Sequence, residues 1–90
     1  MTSAVDRHAD VAQARIFDSL LAQRRAALCD HLDLHAERLT RHERNRDSAG
    51  VRRKRLRIKE IGAEIRDIDR MVHELTVRLL ELQAPNQGPT

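Results

Sequence analysis

Val51, Ile58, Ile65, Val72 and Leu79 recur every seven residues, and Ile61, Ile68, Leu75 and Leu82 form a second series of the same period. Lys54 is the only polar member of that second series. Alternating steps of three and four keep apolar side chains on one narrow stripe of a helix, the pattern of a coiled-coil seam. A strand would need alternation at every second residue, so this stretch is committed to a helix that packs against another helix. The nine apolar residues are the expected oligomerisation seam.

Composition agrees with that reading. Phe17 is the only aromatic residue, 34% of the chain is charged, and there are three Gly and two Pro in 90 residues. Such a profile suits long helices and lacks the aromatics and turn residues of a sheet protein. No stretch approaches the roughly 18 apolar residues of a membrane span. With no basic-then-apolar leader at the start, a cytoplasmic protein is expected. Cys29 has no partner for an internal disulfide.

Two helices are expected. Thr2 or Ser3 can cap the first, which no Gly or Pro interrupts before Gly50. The cluster from Asn45 to Gly50 is the only turn-like stretch inside the chain. Helix one is thus predicted over about 3–45, the turn over 46–50 and helix two over about 51–83, all in one domain, with Asp47 or Ser48 as the second cap. Residues 84–90, with two prolines, are expected to form a disordered tail. Val5, Ala9, Ala12 and Ile16 form one apolar stripe on helix one, and Phe17, Leu21, Leu28, Leu32 and Leu39 another. A bend near residue 16 and a drift of the stripe along one helix both fit this offset.

The expected fold is all-α, an antiparallel two-helix hairpin. Folded about residues 46–50, facing residues have numbers adding to about 96, which sets Leu28 against Ile68 and His35 against Ile61. Asp18, Arg25 and His35 leave polar gaps in helix one, while Leu56, Val77 and Leu80 lie outside the seam of helix two. A second copy closing a homodimeric four-helix bundle is the simplest way to cover the remainder.

Charge is the second strong feature. Residues 38–59 hold ten Lys or Arg and two acids, against seven basic and twelve acidic residues elsewhere. The hairpin puts the basic block at the turn and is expected to put negative charge at the open end. Arg41, Arg44, Arg46, Arg52, Arg53, Lys54, Arg55 and Arg57 are the candidate contacts to phosphates or to an acidic protein partner. Lacking aromatics, the block would hold nucleic acid through phosphates with weak sequence preference.

Part of this block resembles the basic region of basic leucine zipper transcription factors. Asn45 and Arg53 stand at that family's Asn-to-Arg spacing, Arg52-Arg53-Lys54-Arg55 supplies the basic run, and a heptad seam follows. The resemblance implies a continuous helix lying in the major groove, with Asn45 and Arg53 on base edges and the zipper dimerising. This chain departs from it: Asp47, Ser48 and Gly50 interrupt the helix, and Ala63, Arg70 and Val77 occupy the expected leucine positions.

No catalytic, cofactor or metal site is expected. His31, His35 and His42 share a helical face, but His42 stands about 10 Å along the axis from His35, and a closed zinc site wants four ligands. Neither a phosphate-binding glycine loop nor a nucleophile elbow occurs. The expectation is a small self-associating coiled-coil adaptor or regulatory protein, not an enzyme. The alternative is a nucleic-acid-binding regulator acting through residues 38–59.

Overall fold

In a computed structural model, which describes residues 4–83, the chain forms two long helices joined by a tight turn. Helix α1 spans Ala4–Arg44 and α2 spans Ser48–Gln83. They pack side by side as an antiparallel hairpin, a rod with extents of 67 × 23 × 15 Å. Helix α1 runs unbroken past residue 16, so the offset between its two stripes is a drift along one helix. The expected Thr2 or Ser3 cap and the 84–90 tail lie outside the described residues.

The turn comes earlier than Gly50 suggested. Arg46 takes the left-handed conformation with φ 56°, Arg46 N–H donates to Glu43 C=O at 3.2 Å, and Asp47 N–H donates to His42 C=O at 2.9 Å. This pair of reversed bonds is a Schellman ending, which satisfies carbonyls that α1 leaves without helical donors. Asp47 then caps α2: its Oδ1 accepts from Gly50 N–H at 3.0 Å, and its C=O starts the helix by accepting from Val51 N–H at 2.9 Å. Helix α2 therefore begins at Ser48, three residues before the expected start, and Gly50 is helical.

That earlier turn resets the register. Arg44 and Ser48 flank it, so residues whose numbers add to about 92 are level, where the expected hairpin used about 96. The difference is about four residues, or about 6 Å of sliding. It brings Lys54 to His35, at 3.3 Å, where Ile61 had been expected.

Leu21, Leu28, Ile61 and Ile68 form the buried centre, with Leu28 and Ile61 fully enclosed. Leu32, Ile65, Val72 and Leu75 pack around them, and Ala14 is buried nearer the open end. The seam of α2 thus faces its own chain: Ile61 and Ile68 are buried, while Val51, Ile58, Ile65, Val72, Leu75, Leu79 and Leu82 are half-buried. Phe17, expected on the packing stripe of α1, is instead 51% exposed. Ile16, Leu20 and Leu34 of α1, and Leu56, Met71, Val77 and Leu80 of α2, are also exposed. No helix among the described residues is long and apolar enough to cross a membrane.

Candidate functional site at the hairpin tip

The fold gathers the basic block at one end of the rod, where the last turns of α1 and the first turns of α2 meet. The eight candidate cations do not act alike there. Arg41, Arg44, Arg46, Arg52 and Arg53 are exposed and make no ion pair among the described residues. Arg55 lies 3.9 Å from Glu43, and Arg57 is held by Glu60 at 3.2 Å with Glu64 at 4.0 Å. A shallow furrow of about 360 Å³ crosses the tip, with Arg46, Arg52 and Arg55 beside Glu43, Ser48 and Val51.

Lys54 is turned inward. Its ammonium has only donors, so the 3.3 Å contact requires His35 Nδ1 to accept with its lone pair. Burial, then the positive charges of Lys54, Arg38, Arg57 and His31, hold the imidazole below its ordinary pKa. Lys54, the polar member of the α2 seam, and His35, one of the three polar gaps in α1, thus answer each other. A polar pair of this kind inside an apolar seam disfavours other registers, in which each group would face an aliphatic side chain.

The turn has its own electrostatic clasp. Asp47 Oδ2 lies 2.9 Å from His42 Nδ1 while Oδ1 caps α2. The Gly50 N–H, aided by His42 and Arg53, holds the Asp47 carboxyl below its ordinary pKa against the opposing effect of burial. Gly50 is buried beneath this clasp, with no positive φ. A Cβ there would come within 2.5 Å of Asp47 Oδ2 and 2.7 Å of His42 Cε1, so a larger residue fits only if these two side chains move apart.

Along the rod the positive charge is confined to the tip. Residues 38–54, which the observed register folds onto one another, hold seven Lys or Arg and two acids. The next stretch, 28–37 of α1 level with 55–64 of α2, holds five acids and three basic residues, an excess of two negatives. The rest of the chain has seven basic and seven acidic residues, so the expected negative charge at the open end is not an excess there. Bridges cross the helices along the rod. Arg24 meets Glu64 at 3.2 Å, and Arg25 grips Asp69 at 2.7 and 3.4 Å. The bidentate bond holds the Asp69 carboxyl below, and the Arg25 guanidinium above, their ordinary pKa values.

The break at Asn45, Arg46 and Asp47 ends the continuity that the leucine zipper resemblance implies. Asn45 follows α1, whereas Arg53 lies on α2 after a reversal of direction. One helix cannot present both to a groove. Among the described residues no group of three His, Cys, Asp or Glu is placed to hold a metal ion. His31 is exposed, His35 is bound to Lys54 and His42 to Asp47.

Compared with protein-family models, curated proteins and solved structures, the chain gives no match.

Proposed function

We propose that the protein is a small self-associating helical-hairpin interaction module, an adaptor or regulator whose coiled-coil hairpins pair into a homodimeric four-helix bundle with basic tips. The observation that carries this reading is the mismatch between what the hairpin covers and what it leaves in water. Among the described residues five apolar side chains are buried, while Ile16, Phe17, Leu20, Leu34, Leu56, Met71, Val77 and Leu80 are exposed. Two helices cannot enclose a core from all sides, and small helical domains commonly complete theirs by association. The described grooves are open furrows, which suit docking and not an enclosed reaction site. Light scattering at tens of micromolar tests the proposal: a dimer mass is expected, and a stable monomer refutes it.

A second reading rests on Arg41, Arg44, Arg46, Arg52 and Arg53, which with Arg38 make no ion pair among the described residues. They would hold nucleic-acid phosphates, making the module a nucleic-acid-binding regulator. Binding of a short DNA duplex, followed by fluorescence anisotropy, should then weaken steeply as salt rises. Absence of binding at low salt removes this reading.

A further inference from the structure

Phe17, the only aromatic residue, projects from α1 between two shallow furrows. One, of about 280 Å³, is lined by Asp10, Gln13, Ala14, Leu75 and Arg78 besides Phe17 itself. The other, of about 220 Å³, is bordered by Met71, Glu74, Leu75 and Arg78. Ile16 and Leu20, 64% and 54% exposed, flank the ring along α1. A projecting apolar side chain thus stands next to the furrows that could receive one like it.

The charges at this place differ from those at the tip. Asp10 and Arg78 border the same furrow on opposite helices, and neither makes an ion pair among the described residues. A basic or acidic partner would meet a like charge here. The first furrow carries one acid and one base, one on each helix, with Glu74 a second acid at the other furrow; such a mixed surface is complementary to its own copy turned through a twofold axis. Self-complementarity of both shape and charge is what an isologous contact requires.

We infer that a second copy of this chain docks here, with Phe17 of each protomer seated in the furrow beside Phe17 of the other and each Arg78 facing its partner's Asp10. This rests on the self-association proposed above and names its surface. The seam of α2 lies within the hairpin, so the intermolecular contact is carried by the flank of the rod. The basic tips remain uncovered.

Sedimentation of wild type, Phe17→Glu and Leu56→Glu, with circular dichroism to confirm that each stays helical, tests the inference. Both substituted side chains are exposed, so the hairpin should survive either change. Expected are a wild-type dimer, a dimer constant weakened about tenfold or more by Phe17→Glu, as for an aromatic anchor at an interface centre, and little change for Leu56→Glu. Asp10→Arg and Arg78→Asp should each weaken the dimer, and the double variant should recover it. A dimer indifferent to Phe17→Glu overturns this surface and leaves self-association standing. A monomeric wild type overturns both and gives the patch to another partner.

Discussion

Gly50 and Gly62 both lie inside α2, and replacing each by Ala should change stability in opposite directions. Helix propensity alone favours Ala over Gly by about 1 kcal/mol at an interior position. At Gly62 a new Cβ would find only Arg66 Nη1 at 3.6 Å, an ordinary contact, so Gly62→Ala should deliver that gain. At Gly50 the new Cβ would sit 2.5 Å from Asp47 Oδ2 and closer still to His42 Nδ1. Relief requires the clasp to open, which loosens both the His42 contact and the cap of α2. Overpacking of this kind costs about 1–3 kcal/mol, which exceeds the propensity gain. A net loss of about 1 kcal/mol is expected, or a Tm lower by ~4–8 °C for a chain of this size, with Gly62→Ala higher by a similar amount. Thermal melts followed by circular dichroism at one fixed protein concentration measure both. If Gly50→Ala melts as high as Gly62→Ala, the clasp does not close the turn and the argument fails.

Leu28→Ala, which empties a fully enclosed position, should cost about 2–5 kcal/mol in urea unfolding, whereas Leu56→Ala, 59% exposed, should stay within about 0.5 kcal/mol. Arg46→Gly should raise the melting temperature, because an L-residue in the left-handed conformation costs about 1–2 kcal/mol that Gly avoids, less the entropy Gly returns to the unfolded chain. His35 should make stability fall with acid: the folded chain holds its imidazole neutral beside Lys54, while the unfolded chain protonates it near the ordinary value of about 6.5. The stability is complete above that value and is lost as pH falls from it through the lowered folded pKa. Melts of wild type and His35→Leu between about pH 7.5 and pH 5 should therefore diverge on the acid side, and parallel curves would contradict the assignment.

Much of the architecture was legible because it rests on local physics. A seven-residue apolar repeat over Val51 to Leu82 demands a helix with a neighbour, and one cluster of turn residues leaves only one place to fold back. Asp47 was readable as a cap. Gly50 was misleading, since Gly at a turn ordinarily supplies a positive φ, and here Arg46 does so while Gly50 makes room for His42. Lys54 looked like a surface cation within a basic run because its partner, His35, is 19 residues away on the other helix. At the tip, the local excess of charge was visible, but which arginines lack an acidic partner was not.

By itself the sequence determined the helices, their antiparallel return and the basic end, since helix period, capping and net charge depend on neighbours along the chain. Only the tertiary structure decided the register, the exposure of Phe17 and which charged stretches lie level with one another. A heptad stripe tolerates sliding by whole turns at little apolar cost. The Schellman turn at Arg46 and the polar pair His35–Lys54 are contacts made through space, and they distinguish one alignment from its near equivalents.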